Sequence, residues 1–240
     1  LDLAEAGLAE TAARIQALGS KALVLALDLS ERANCRLAVE RTVDSFGRLD
    51  ALCNVAGVML VGETTAYSDE DWDLTLAVNL TAPFVLARTA IPHLLEAKGA
   101  IVNVTSCATF QGQAYFAAYC ATKAGLTNMT KALAMEFQHQ PIRVNAVAPG
   151  GMMTGHLDSS ERARPADLVA TGAEDDDLTT MLEHRPMGAD DVVMPEHAVR
   201  NLLADLEANE PYCLTHGSHR PVYEARRAAM DAAFDRMEAP

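Results

Sequence analysis

Basic residues are the scarce charge in this chain. Lysine and arginine number 19 against 33 aspartates and glutamates, a formal net charge of −14. Such a surface repels phosphate backbones and anionic headgroups, which argues against nucleic acid and against a membrane as partners and leaves small molecules. Long apolar runs are absent too: none approaches the roughly 20 residues needed to cross a bilayer. The opening LDLAEAGLAE is acidic where a secretory leader would carry basic residues. The five cysteines, Cys35, Cys53, Cys107, Cys120 and Cys213, form no CxxC pair and stand at no metal-ligand spacing to histidine, so reduced thiols, no metal and a cytoplasmic location are expected. A weak HxxH, His216 with His219, falls in a loop and is read as structural.

What is present is an alternation. Half of the 240 residues are apolar, enough to bury one sizeable core. Strand-like and helix-like patterns follow one another, the pattern of βαβ units in a parallel sheet covered on both faces. ALVLALDL, 22–29, reads as a buried strand, followed by a helix from an N-capping Ser30 to Phe46. LDALCNVAG, 49–57, is a second strand. A helix from Ser68 to about Lys98 carries Asp69, Glu70 and Asp71 in its first turn, where carboxylates favour the macrodipole, and Gly99 closes it. Strand 100–106, a helix from about Tyr115 to Gln138 and strand 142–150 continue the rhythm. Residues 151–195, rich in Gly, Pro and Asp and containing EDDD at 174–177, are expected to form a mobile substrate loop. A helix at 195–208, a short strand PYCLTH and a terminal helix finish a single domain, 1–240, of the three-layer doubly wound α/β class.

Within SCATFQGQAYFAAYCATK, residues 106–123, Tyr119 and Lys123 stand four apart in a helical pattern and so share a face. A phenol with a pKa of about 10 is a poor base at neutral pH. An ammonium about 5 Å away favours the phenolate by roughly 3 kcal/mol at an effective dielectric near 20. A tyrosine so placed could take a proton from an alcohol or return one to a carbonyl. Ser106 ends a predicted strand on the side where ligands collect in open α/β sheets, and its hydroxyl could hold the same oxygen.

These residues, with NVAG at 54–57, Asn79, YCATK at 119–123, APG at 148–150 and Thr154, resemble the short-chain dehydrogenase/reductase family in both order and spacing. The resemblance implies a Rossmann-like fold and the interconversion of a secondary alcohol and a ketone by hydride transfer with a nicotinamide cofactor. It implies Tyr119 as acid/base, Lys123 as its partner and a holder of the nicotinamide ribose, Ser106 as substrate-orienting, and Asn79 as support for a relay water. Pro83, four residues on from Asn79, cannot donate to the Asn79 carbonyl, which independently suits that last role. The resemblance further implies Asp2 at the adenosine ribose, which would favour NAD over NADP, and Asp28 near the adenine. Asn54, Ala56 and Gly57 would pack against the cofactor, with Pro149, Gly150 and Thr154 on its nicotinamide side. Met152, Met153 and His156 are candidates for the substrate pocket. Partners implied are an alcohol or ketone substrate and a second copy, as a homodimer or homotetramer built on the helices carrying Asn79 and Tyr119.

The family also implies a first strand and a TGxxxGxG turn whose amides hold the pyrophosphate. Residues 1–240 contain neither, so the expectation is a sequence beginning roughly 35 to 40 residues into the family architecture. These residues by themselves are expected to bind NAD only weakly. Without that strand residues 22–29 are left either unpaired or docked beside 49–57, and docking is expected as the cheaper outcome. The alternative function is a catalytically silent homologue serving as an assembly or binding subunit.

Overall fold

The computed structural model describes residues 1–164 and 192–238. Its centre is a parallel sheet in the order β1 (Ala51–Asn54), β2 (Ala100–Val104), β3 (Arg143–Ala148), β6 (Tyr212–Leu214). Between β1 and β2 the chain runs through α3 (Asp69–Leu76), a π-helical turn (Ala77–Thr81) and α4 (Ala82–Ala97). Helix α5 (Ala117–Glu136) links β2 to β3.

Residues alternate across the sheet, and each face has its own core. On one face Ile101 and Val144 pack with Cys35, Ala38 and Val39 of α2 (Arg32–Phe46) and with the apolar side of α4. On the other, Val102, Val147 and Cys213 meet Leu202 and Leu206. Those two leucines lie on α8 (Leu202–Glu207), which follows β4 (Gly151–Met152), α6 (His156–Ala163), β5 (Val192–Val193) and α7 (Pro195–Ala198). The layers are therefore helix, sheet and helix, as the doubly wound class requires. The predicted single helix 195–208 is two, α7 and α8. The terminal helix is α9 (Arg220–Glu238), preceded by a 3-10 turn at Gly217–His219.

The stretch 22–29 corrects the sequence reading. Among the described residues it forms no ladder beyond one parallel bridge, Asp2 to Ala26, and β1 pairs with β2 alone, so the expected docking beside β1 does not occur. Buried amides and carbonyls must find partners, but Val24, Ala26 and Asp28 are exposed, and water can serve that backbone. Leu27 and Leu29 still reach the first core. Helix α1 (Glu5–Ala17) buries no residue. Ser30 is not the cap of α2: its N–H donates to the Asp28 carboxylate at 2.8 Å, and Glu31 holds the cap position. Ser68 does cap α3, accepting from Asp71 N at 3.0 Å. At the other end Lys98, at φ 56, takes the left-handed position, and Gly99 N–H returns to Leu94 O at 2.8 Å. The continuous helical stretch Asp69–Ala97 is long and apolar enough to span a bilayer by length and composition, and 44% of its apolar window is buried in the core. Of the expected substrate loop, 165–191 and the EDDD run lie outside the described residues; the remainder supplies β4, α6 and β5.

Candidate active site

The carboxyl ends of β2 and β3 face the first turns of α5, and the sequence places its polar residues there. Ser106, just beyond β2, caps a 3-10 turn (Cys107–Thr109) by accepting from Ala108 N at 3.2 Å. Tyr119 and Lys123 occupy one face of α5, both buried. The Tyr119 ring meets Phe116 edge-on at 6.3 Å and packs with Val61 and Ala108. The Lys123 ammonium stands 5.6 Å from the centroid of that ring. Among the described residues it meets one acceptor, the Val104 carbonyl, at 2.9 Å.

Burial pushes the Tyr119 phenol up to about 12, while its hydrogen bond with Ser106 works in the opposite sense. Burial also brings Lys123 down to about 8. The expectation that Lys123 draws the phenol below its ordinary value is thus corrected for the unliganded chain. The burial that strengthens Coulomb attraction also removes water from the phenolate, and here desolvation dominates. The member of the pair that titrates nearest neutrality is the ammonium.

Asn79 lies in the π-helical turn, an element often found where function needs a displaced backbone. Its Oδ1 accepts from Val58 N at 2.8 Å, and its Nδ2 donates to Val58 O at 2.8 Å and to Thr122 Oγ1 at 3.2 Å. The side chain therefore ties the loop after β1 to α5. Its backbone carbonyl lacks the usual helical donor, because that position is Pro83. Truncating this buried side chain leaves both Val58 groups unpaired, so Asn79→Ala is expected to lower unfolding stability by about 2 kcal/mol. Urea denaturation checks this, and an unchanged midpoint would contradict the role given to the side chain.

Asn54 Nδ2 donates to Asn103 Oδ1 at 2.7 Å, and Asn103 passes the chain to Thr130 at 2.9 Å. Asn54 Oδ1 is buried and has no partner among the described residues. With the exposed Ala56 it lines a cavity of about 240 Å³ beside Leu29, Leu52, Pro83 and Leu86. Gly57 faces the site closely: a Cβ there would stand 3.2 Å from Asn79 Oδ1 and 3.5 Å from Lys123 Nζ. Asp2 and Asp28 lie apart from the buried cluster. Both are exposed and use a carboxylate oxygen locally, Asp2 toward Ala4 N at 3.0 Å and Asp28 toward Ser30 N. Pro149 O accepts from Cys107 N at 2.8 Å, which couples the turn after β3 to Ser106. Gly150 is half-buried, and Thr154 is exposed, its hydroxyl oxygen accepting from His156 N at 3.4 Å.

Sequence reasoning missed what holds α6 over this cluster. Ser160 accepts from Met59 N at 2.9 Å, and the buried Arg164 pairs with the buried Asp71 and donates to Val61 O at 3.1 Å. Asp71 was assigned to the helix dipole; its carboxylate instead meets a guanidinium far along the chain, a pairing no local pattern signals. His156, at the start of α6, is held below its ordinary pKa first by burial and then by the Lys123 charge.

Comparison with known proteins matches the short chain dehydrogenase family over residues 1–165. The chain belongs to that family. A 2,5-dichloro-2,5-cyclohexadiene-1,4-diol dehydrogenase of Sphingobium indicum is 41% identical over 59% of this chain, and the match spans 57% of that relative's length. A short-chain dehydrogenase/reductase from Burkholderia phymatum in complex with NAD superposes with a TM-score of 0.83, covering 97% of this chain and 84% of that one at 22% identity, a likeness of fold. A metagenomic short-chain oxidoreductase in complex with NADP is 34% identical, with a TM-score of 0.57 over 69% of this chain and 75% of that one. The nicotinamide cofactor that the dehydrogenase family implies fits the residues present. A buried ammonium with donors to spare, the space kept open at Gly57 and the unpaired Asn54 oxygen suit a ligand rich in hydroxyl groups.

Proposed function

We propose that this chain is the catalytic part of a nicotinamide-dependent oxidoreductase that interconverts a secondary alcohol and a ketone. The observation that carries the reading is the buried convergence of Ser106, Tyr119 and Lys123 at the carboxyl ends of β2 and β3. Tyr119 moves the proton at the substrate oxygen, and Ser106 holds that oxygen. Lys123 supplies positive charge to the phenol and binds ribose hydroxyls from the side of Gly57. When bound, the nicotinamide accepts or returns the hydride. Asn79 keeps the Gly57–Val58 backbone against α5, and α6 with His156 shields the pocket from water. The substrate class follows the reaction and the name of the Sphingobium relative, a diol dehydrogenase.

NAD is the preferred cofactor in this reading, because Asp2 would set a carboxylate against a 2′-phosphate. Titrating the whole protein with both nucleotides should show tighter binding of NAD, and tighter NADP binding would refute the assignment. A cytoplasmic setting suits the five free thiols. A homo-oligomer built on the helical stretch 69–97, which carries Asn79, and on α5, which carries Tyr119, suits the exposure of Trp72 on α3 and Phe84 on α4. The enzymatic reading is tested by incubating the whole protein with secondary alcohols, cyclic diols among them, and following reduced nicotinamide by absorbance. Substrate-dependent reduction is expected, and its absence across such a panel with both nucleotides would favour a non-catalytic role.

A further inference from the structure

The turn that joins β3 to β4 is gripped by a residue from the far end of the chain. Gly150 N donates to His216 Nδ1 at 3.1 Å, and His216 Nε2 lies 2.9 Å from Gly151 O. A backbone N–H can only donate and a carbonyl can only accept, so the ring is the neutral tautomer with its proton on Nε2. Thr215 Oγ1, 2.5 Å from the same Nδ1 and 3.2 Å from Gly150 N, braces the arrangement. His219 closes it from the other side, its ring 5.9 Å from that of His216. A Cβ on Gly150 would stand 2.5 Å from His219 Nε2 and 2.7 Å from the His216 ring, so this fit of two imidazoles against one peptide admits only glycine.

We infer that His216 is a positioning residue for the cofactor's nicotinamide end: by binding both polar groups flanking the Gly150–Gly151 peptide it fixes the turn against which that end rests. This rests on the proposed oxidoreductase function. The same turn is tied to the catalytic cluster, since Pro149 O accepts from Cys107 N beside Ser106. It also leads through β4 into α6 and His156. A loosened turn would therefore misplace the cofactor pocket while leaving Tyr119 and Lys123 on their helix. The HxxH pattern is thus explained by a backbone clamp rather than by a metal.

The test compares His216→Phe, which keeps a flat ring and loses both hydrogen bonds, with His216→Asn, which can still accept from Gly150 N. In the whole protein His216→Phe is expected to weaken nicotinamide-nucleotide binding about tenfold by calorimetry and to raise KM for the nucleotide more than it lowers kcat, with His216→Asn recovering part of the loss. Independently of any activity, ring nitrogen shifts should report the Nε2–H tautomer, and the Gly150 amide should exchange faster in His216→Phe. Parental nucleotide affinity in His216→Phe, or a proton found on Nδ1, overturns the inference. A parent without oxidoreductase activity but with the expected tautomer and amide protection would overturn the functional reading and confine the clamp to architecture.

Discussion

Tyr119→Phe is expected to lower turnover by about 10²- to 10⁴-fold, the usual contribution of a positioned acid or base, while leaving the melting temperature close to that of the parent. The change deletes one hydroxyl and keeps the ring that packs with Phe116, Val61 and Ala108. With the phenol pushed up to about 12 and the ammonium brought down to about 8, both groups hold their protons at neutral pH. Tyr119 is then ready to give a proton to a carbonyl, and the neighbouring charge stabilises the phenolate left behind. Alcohol oxidation needs the pair to be one proton short. Its rate should climb with pH through an apparent value that belongs to the pair rather than to the tyrosine. Steady-state rates in both directions, with a thermal melt of each protein, check this. Turnover of Tyr119→Phe within about twofold of the parent would remove the tyrosine from the chemistry.

How much of this site is legible in the sequence depends on how local each signal is. Tyr119 and Lys123 are one helical turn apart, and Ser106 sits where a buried strand ends, so helical geometry and the strand pattern place all three. The helix 69–97 was legible for the same reason, with Ser68 as its cap. Strand 22–29 failed because an apolar run states only that a segment can be buried. Whether it joins a sheet depends on a neighbour in register, and among the described residues the one strand-like pairing is the bridge from Asp2 to Ala26. The direction of the Tyr119 shift failed for a related reason: a pair of opposite charges is readable from spacing, whereas desolvation is a property of the packed interior. Contacts between residues far apart in the chain left no trace at all. Arg164 meets Asp71 across 93 residues and His216 meets Gly150 across 66, and in each case only the fold makes the partners neighbours.

Raising the pH from 8 toward 10.5 should stabilise the folded parent relative to Lys123→Met by about 3 kcal/mol in total. Lys123 is 4% exposed and is brought down to about 8 in the folded chain from its ordinary 10.5. Between those values the unfolded chain holds a proton that the folded chain has released, so stability increases with pH across the window. Below it both states are charged, and the folded chain bears the full penalty of a buried ammonium. Above it both are neutral, and the penalty is gone. Other groups oppose the trend: the Cys213 thiol, raised from 9.0 to about 11, and Tyr119, raised from 10.0 to about 12, make folded chains bind the extra proton at higher pH. They are present in both proteins, so the difference between parent and variant isolates Lys123. Urea denaturation of both should therefore find Lys123→Met the more stable at about pH 7 and the gap largely closed by about pH 10. A gap that does not change with pH would mean that the ammonium is not held under strain. The same strain gives the charge its use, since a buried cation with one acceptor gains from every hydroxyl a ligand brings to it, and nucleotide binding should lift the Lys123 pKa back above 8.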